Sequence, residues 1–223
     1  MDVLKRDDLI EKIIDFDSRD TVLLLTGVRM SGKTTLIKSV IDELKSRGVS
    51  EGNIFYLSFR SMDYYSASSY EIYQNIKDKI DGIEGKIHLF FDHVEEFENW
   101  QFVVNSFRSW NNCDVTAAIN YSQFYTLGHN SLGGRSLFLE VYPFSFKEFL
   151  QFKKEFTDED KSDKEFFIEY LKYGGMPEVV QQKDCEKFSL LKTIYRIIRY
   201  EDFIKEIDAD SFLINDFLRY MIL

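Results

Sequence analysis

A glycine-rich stretch near the amino terminus constrains the fold of this chain more than any other feature. Residues 27–34, GVRMSGKT, fit the pattern G-x-x-x-x-G-K-[ST]. They follow a short apolar run, Thr21 to Thr26, and lead into an amphipathic helical pattern over residues 34–47. A strand, a glycine turn and a helix in this order are typical of a phosphate-binding loop. The glycines let backbone N–H groups point inward, and the helix directs its positive end at the same anion.

This loop predicts a site for a nucleoside triphosphate and magnesium. We expect Lys33 to reach the outer phosphates and the Thr34 hydroxyl to ligate Mg²⁺. The expected ATP-binding residues are the loop and the residue after it, namely Gly27, Val28, Arg29, Met30, Ser31, Gly32, Lys33, Thr34 and Thr35. The sequence leaves two roles open for Arg29, which can touch phosphate or ribose, or pair with an acidic side chain such as Asp92.

Strand-like and helical patterns alternate after the loop. Apolar runs predict strands at Asn53 to Phe59, Lys86 to Phe91, Asp114 to Ile119 and Leu137 to Tyr142. Helical spacing of apolar residues predicts helices at residues 3–16, Ser69 to Ile80 and Asn99 to Trp110. Strands separated by helices require crossover connections, so we predict an α/β fold with a parallel sheet flanked by helices.

The pattern changes after Pro143. Residues 144–223 have a helical pattern and are rich in Phe, Tyr, Lys and Glu, with a break at residues 174–177, GGMP. We therefore predict a P-loop core over residues 1–143. A smaller all-helical region, comprising a lid and the start of a truncated C-terminal helical region, is expected over residues 144–223.

The second half of the expected site follows the third predicted strand. P-loop enzymes hold magnesium with an acidic residue at the end of a neighbouring strand, and Asp92 directly follows the apolar run that ends at Phe91. The next residue is His93, whose neutral ring offers one acceptor nitrogen where a glutamate would offer two oxygens. Glu95 lies two positions further on. Loss of a positioned base costs about 10²–10⁴ in rate, so the sequence leaves hydrolysis open.

Composition limits the classes of partner. The chain of 223 residues has 28 Lys and Arg against 38 Asp and Glu, a formal net charge of −10, which argues against a nucleic-acid partner. Its apolar runs are far shorter than the roughly 18 residues of a membrane span, and the amino terminus lacks a cleavable hydrophobic stretch. The two cysteines cannot form a disulfide framework. We therefore predict a cytoplasmic protein that does not enter the membrane.

Several blocks of this sequence resemble a prokaryotic group of AAA+-like P-loop ATPases, in which an ATPase domain precedes a C-terminal domain of unknown function. The blocks are GVRMSGKTT at residues 27–35, FFDHVEEFENW at 90–100, GGRSLFLEVYPFSFKEFL at 133–150 and YLKYGGMPEVV at 170–180. They occur in the order found in that group and extend over nearly the whole chain. The resemblance implies an AAA+-like fold.

The resemblance also implies roles for individual residues. Thr34 and Asp92 would hold magnesium, and the catalytic candidates are Lys33, His93, Glu95, Asn120 and Arg135. His93 stands where the group has a glutamate, and Glu95 where it has a glutamine. Asn120 would help to place the attacking water, and Arg135 would be an arginine finger or a phosphate sensor.

These observations predict an ATP-binding, Mg²⁺-dependent ATPase that couples nucleotide state to a conformational change. The alternative is an ATP-binding switch or scaffold with little or no hydrolysis, because the expected glutamate is His93. A kinase would be expected to carry a cluster of lid arginines, and the region after Pro143 has no such cluster. The resemblance leaves two further points open, which are assembly into a homo-oligomer and contact with a missing C-terminal domain or another protein.

Overall fold

A computed structural model of the chain describes residues 2–16, 20–64, 66–110, 112–121 and 132–204. The strands are β1 (Val22–Thr26), β2 (Ile54–Ser58), β3 (Ile87–Asp92), β4 (Cys113–Ala118) and β5 (Ser136–Glu140). The helices are α1 (Asp7–Ile14), α2 (Lys33–Ser46), α3 (Ser69–Ile80), α4 (Trp100–Arg108), α5 (Phe146–Phe156), α6 (Asp163–Tyr173), α7 (Pro177–Val180) and α8 (Asp184–Ile198). A π-helical segment, Arg199–Ile204, continues α8. Within these ranges, no helix is both long and apolar enough to cross a bilayer.

All described strands belong to one parallel sheet in the order β2-β3-β4-β1-β5. The predicted α/β fold with a parallel sheet flanked by helices is therefore confirmed. In this order β4 lies between β1 and β3. The strand that ends in Asp92 is consequently not the hydrogen-bonded neighbour of the strand that leads into the P-loop. The residues that follow β4 instead lie between these two halves of the site.

The central strand β1 explains how the helices cover both faces of the sheet. All of its residues are buried, and successive side chains point to opposite faces. Leu23 and Leu25 pack with α1 and α2, whereas Val22 and Leu24 pack with α3 and α4. A strand buried on both faces needs an uninterrupted apolar run, which is what the sequence provides.

The first helix is shorter than the predicted range 3–16. Helix α1 begins at Asp7, and the residues before it are extended. Leu4 is buried with Phe144 and other aromatic residues of the helical region, whereas Ile10 packs against β1 and α2. The apolar residues of this segment thus belong to two different cores, and a single continuous helix does not fit this packing.

Residues 144–204 contain helices α5 to α8, in agreement with the predicted helical pattern. Residues 205–223, the rest of the predicted C-terminal helical region, lie outside the described residues. Helices α5 and α6 each begin with a capping box, formed by Ser145 with Glu148 and by Ser162 with Glu165. The position of the boundary between the two predicted parts stays a prediction, since the sequence change alone supports it.

Charged side chains are buried between these helices. Lys153 and Lys187 each expose 1% of their side chains, and both contact Glu169, which exposes 6%. The Lys187 ammonium donates to Glu169 at 2.5 Å and to Asp184 at 2.6 Å. Lys161 donates to the other Glu169 oxygen at 2.9 Å. Glu169 therefore balances several cations in this region.

The pH dependence of stability should report this cluster. Burial would raise the pKa of Glu169, but hydrogen bonds from Lys187, Lys161 and Lys153 outweigh it and lower the pKa to about 2. An unfolded glutamate has a pKa of about 4.3. The stabilisation is thus fully present above pH 4–5 and is lost as the pH falls towards 2, by on the order of 2 kcal/mol.

Urea denaturation between pH 7 and pH 2 would measure this loss. We expect Glu169→Gln to be less stable than the wild type at pH 7, because Lys153 and Lys187 lose the buried carboxylate that they share and keep only Glu159 and Asp184, respectively, as acidic partners among the described residues. We also expect the variant to lack this part of the acid dependence. An unchanged slope in the variant would contradict the assignment.

Candidate nucleotide-binding site

A cavity of about 450 Å³ opens at the carboxyl ends of the strands, where ligands bind in open α/β sheets. Residues 29–34 of the P-loop and the first turn of α2 line it. Side chains that follow β3 and β4 and residues of α7 also line it. Lining residues include Arg29, Lys33, Thr34, Thr35, Asp92, His93, Glu95, Asn120, Pro177, Glu178 and Gln181. The cavity thus gathers most of the residues that the sequence indicated.

The loop backbone needs glycine at two positions. Gly27 has φ +152°, and a Cβ there would lie 2.3 Å from the carbonyl oxygen of Val141. Gly32, directly before α2, has φ +98°, a conformation that side chains rarely adopt. Between them, the Ser31 hydroxyl is buried and has no hydrogen-bond partner among the described residues. A buried orphan hydroxyl that lines the cavity fits a site for a polar ligand such as phosphate.

Gly27→Ala should therefore damage the loop. The new methyl group would meet a backbone carbonyl, which cannot swing aside as a side chain can, and overpacking of this kind costs about 1–3 kcal/mol. We expect a lower urea midpoint and weaker nucleotide binding. Gly52→Ala is the matched control, because a Cβ there comes no closer than 3.7 Å to the Ser50 hydroxyl oxygen. Equal effects of the two substitutions would contradict this account.

The ammonium group of Lys33 is held inside the loop. It donates to the carbonyl oxygens of Gly27 at 2.9 Å and Val28 at 3.0 Å, and to Asn120 Oδ1 at 3.0 Å. These acceptors carry no net charge, whereas a phosphate oxygen would add the Coulombic attraction of a full negative charge. A phosphate in the loop would thus compete well for this lysine.

Asp92 is the most enclosed acid in the site, with 1% of the residue exposed. The Tyr56 hydroxyl donates to its Oδ2 at 2.9 Å, and the His93 backbone N–H donates to its Oδ1 at 3.0 Å. Burial would raise the pKa of Asp92, but hydrogen bonds from His93, Thr34 and Tyr56 outweigh it and lower the pKa. The ionised carboxylate therefore lies beside the Thr34 hydroxyl. Two oxygen donors of this kind suit Mg²⁺, which takes one or two protein ligands together with phosphates and water.

His93 serves Asp92 in this structure. Its Nδ1 lies 3.2 Å from Asp92 Oδ2 and 3.5 Å from the Ser58 hydroxyl. The backbone of His93 is left-handed, with φ +55°, and starts the short 3₁₀ turn Val94–Glu96. This turn brings Glu95 towards the cavity, three residues after Asp92.

Asn120 links Glu95 to the lysine of the loop. Its side-chain amide N–H donates to Glu95 Oε1, while its Oδ1 accepts from Lys33. Glu95 Oε2 is shielded from solvent and has no hydrogen-bond partner among the described residues. Burial raises the pKa of Glu95 above its usual value. A carboxylate with a free oxygen and a raised pKa is suited to accept a proton.

Arg29 and Arg135 have different surroundings. Arg29 lines the cavity, and its Nη1 lies 3.9 Å from Glu96 Oε1. The sequence had suggested Asp92 as an acidic partner of Arg29, and the structure places Glu96 near it. Arg135 precedes β5, and its guanidinium donates to Asp20 at 2.6 Å. Residues that precede a parallel strand lie at the amino end of the sheet, opposite the cavity. The structure therefore does not bring Arg135 to the other candidate residues.

Other residues in the cavity or in contact with its lining were not anticipated from the sequence. Tyr56 holds Asp92, and Arg60 follows the carboxyl end of β2. The extended segment 2–4 lines the side next to the helical region. The sequence could have predicted the position of Arg60, because this residue follows a predicted strand of a parallel sheet. No feature of the sequence predicts that Tyr56 or segment 2–4 lies at the site.

The strand order, the glycine loop and the acidic strand end together define a P-loop nucleotide-binding domain of the AAA+ type. Residues 19–150 match the family model described as an AAA domain. The chain belongs to this family of AAA+-like P-loop ATPase domains.

Similar proteins agree with this assignment. An uncharacterised protein of Haemophilus influenzae is 32% identical over 206 residues, which cover 90% of this chain and 50% of that protein. The chain thus spans half the length of this relative. Similar solved structures include AMPPCP-bound DnaA from Aquifex aeolicus, with a TM-score of 0.55 at 17% identity over 87% of this chain and 62% of that one. A Walker-type ATPase of Pyrococcus abyssi has a TM-score of 0.53 at 13% identity, over 89% of this chain and 73% of that one. At these identities the likeness shows the fold.

Proposed function

We propose that this chain binds ATP with Mg²⁺ and hydrolyses it, and that nucleotide state changes its conformation. The observation that carries the proposal is the position of Asn120, which hydrogen-bonds both Lys33 and Glu95. A phosphate-binding cation and a candidate base therefore meet at one side chain inside one cavity. Binding and hydrolysis require these two groups to act on the same ligand.

The cavity is lined by both polar and apolar residues. The P-loop, residues 27–34, and the start of α2 present backbone N–H groups to the triphosphate. Val3, Leu4 and Pro177 line the side next to the helical region, which suits the flat apolar faces of a nucleobase. The cavity volume of about 450 Å³ falls in the range of small-molecule sites.

Thr34 and Asp92 would hold magnesium on the side of the cavity that faces β3. When bound, the ion would neutralise negative charge on the phosphate oxygens. Asp92 itself stays ionised, because Tyr56 and His93 hydrogen-bond it. These contacts also fix the direction in which its carboxylate points.

Glu95 would act as the general base. Its Oε2 would accept a proton from the attacking water, while Asn120 holds its Oε1 in place. The raised pKa of Glu95 supports this role, because a base is most effective when its pKa approaches the working pH. His93 is turned to Asp92 and would position that carboxylate.

One observation favours the alternative of a binding switch without hydrolysis. The residue directly after Asp92 is engaged, since the His93 ring lies 3.2 Å from that carboxylate. Hydrolysis then depends on Glu95 acting as the base. Without that role the chain would be a binding switch. Arg135 could act as a finger only in the cavity of a neighbouring subunit, so this role and homo-oligomer formation stay predictions.

Calorimetric titration with ATP, in Mg²⁺ and in EDTA, tests the proposed binding. We expect saturable 1:1 binding that weakens by about tenfold or more without the metal, because the phosphates then lose a counter-ion. Absence of binding to both ATP and ADP would overturn the proposal. Saturable binding without any hydrolysis would leave only the switch.

A further inference from the structure

Two arginines from different segments converge on one carboxylate at the cavity. Arg60 donates to Glu96 Oε1 through Nε at 3.2 Å and through Nη2 at 3.0 Å. Arg29 Nη1 lies 3.9 Å from the same oxygen. Arg29 belongs to the P-loop, Arg60 follows β2 and Glu96 follows β3. A cationic pair from two segments thus meets one anion.

The chemistry of this cluster matches that of a phosphate site. A guanidinium group binds carboxylate and phosphate oxygens with the same planar arrangement of N–H donors. Glu96 therefore occupies the place of an anion between the arginines. Its ion pair with Arg60 is partly exposed, since the two side chains expose 38% and 50% of their surface. Such pairs contribute about 0–1 kcal/mol, so a more highly charged anion can displace the carboxylate.

The location of the cluster determines which phosphate it can reach. Arg29 and Arg60 line the same cavity as Thr34 and Asp92. The first phosphates of a bound nucleotide would occupy the P-loop itself. The terminal phosphate extends towards the magnesium ligands, and this is the side on which Arg60 follows its strand.

We propose that Arg60, together with Arg29, binds the terminal phosphate of a nucleoside triphosphate, and that Glu96 is the internal anion that this phosphate displaces. The inference rests on the proposed ATP site and adds a basis for discrimination between triphosphate and diphosphate. A diphosphate lacks the group that reaches Arg60, and Glu96 then keeps its ion pair.

Titrations of ATP and ADP against matched variants test this inference. We expect Arg60→Ala to raise the Kd for ATP by about tenfold, the effect of losing one charged hydrogen-bonding group, with less than about a twofold change for ADP. Arg60→Lys keeps the charge but loses the planar arrangement of N–H donors. Its Kd for ATP should lie between those of the wild type and Arg60→Ala. Arg47→Ala removes an arginine outside the cavity lining, which pairs with Glu43 and Glu11, and should change neither Kd.

Glu96→Gln should act in the opposite direction. Removing the competing carboxylate is expected to lower the Kd for ATP by about threefold, the equivalent of a partly exposed ion pair, and to leave ADP binding unchanged. Glu98→Gln is the control, because it removes the same charge from an exposed residue of the same loop.

The outcomes separate this inference from the proposed function. If the wild type binds neither nucleotide, the ATP site itself is wrong and the inference fails with it. If the wild type binds ATP but Arg60→Ala weakens ATP and ADP equally, or changes neither, only the role of Arg60 is overturned. Weaker ATP binding by Glu96→Gln would overturn the role of Glu96 as a competing anion. Thermal unfolding of each variant identifies any that fail to fold, and Arg60→Lys and Glu96→Gln then decide.

Discussion

Lys33→Ala is expected to weaken ATP binding by about 100-fold, which corresponds to about 2.7 kcal/mol. The wild-type ammonium is already inside the loop, where it donates to Gly27 O, Val28 O and Asn120 Oδ1. A triphosphate would exchange these neutral acceptors for charged ones. The alanine variant loses this gain and leaves the phosphates facing a cavity with one fewer cation.

The fold should survive this substitution. Asn120, one of the partners of Lys33, lines the open cavity, where water can replace the lost donor. Calorimetry with ATP and a thermal melt of the same samples would separate binding from stability. Lys38→Ala is the control, since this exposed lysine lies on the same helix, outside the cavity lining. An unchanged Kd in Lys33→Ala would show that the loop does not bind the phosphates.

Glu95→Gln should lower the rate of single-turnover hydrolysis by about 10²–10⁴-fold, the usual effect of losing a general base. ATP binding should change little, because glutamine keeps the size of the side chain and can still accept from Asn120. We therefore expect Glu95→Gln to lower the rate of hydrolysis while the Kd for ATP stays nearly unchanged. A lower rate at an unchanged Kd distinguishes a catalytic carboxylate from one that only supports the structure of the loop.

His93→Gln provides the comparison. Glutamine can donate to Asp92 in place of the ring, so the rate should fall by less than about tenfold. Loss of hydrolysis in His93→Gln with normal turnover in Glu95→Gln would reverse the assignment. The base would then be the residue directly after Asp92.

Local rules explain which parts of the fold the sequence predicted. Helix α3 begins and ends at the predicted residues, Ser69–Ile80, because a capping box and a clear apolar stripe define it. The P-loop was identifiable because its glycines and lysine are required by the loop backbone. The amino-terminal helix was predicted too long, since Leu4 continues the helical spacing although it packs in another core.

The candidate site was harder to predict where the position of a residue depends on contacts between distant parts of the chain. Arg135 follows a glycine turn in a block of the family resemblance, yet it precedes its strand and therefore lies at the amino end of the sheet. Glu95 reaches the cavity only because His93 adopts a left-handed conformation and starts a 3₁₀ turn. The amino-acid sequence has no periodic signal for either feature. Arg60 could have been found by the rule that residues after parallel strands face the ligand.

Single-turnover hydrolysis of ATP by the wild-type chain with Mg²⁺, run beside Lys33→Ala, tests the central claim most directly. Enzyme in excess over radiolabelled ATP would show whether bound nucleotide becomes ADP and phosphate. We expect wild-type turnover clearly above the background of the variant. ATP that stays bound and intact on the wild type would contradict the assignment of Glu95 as a working base, and would identify the chain as a nucleotide-binding switch.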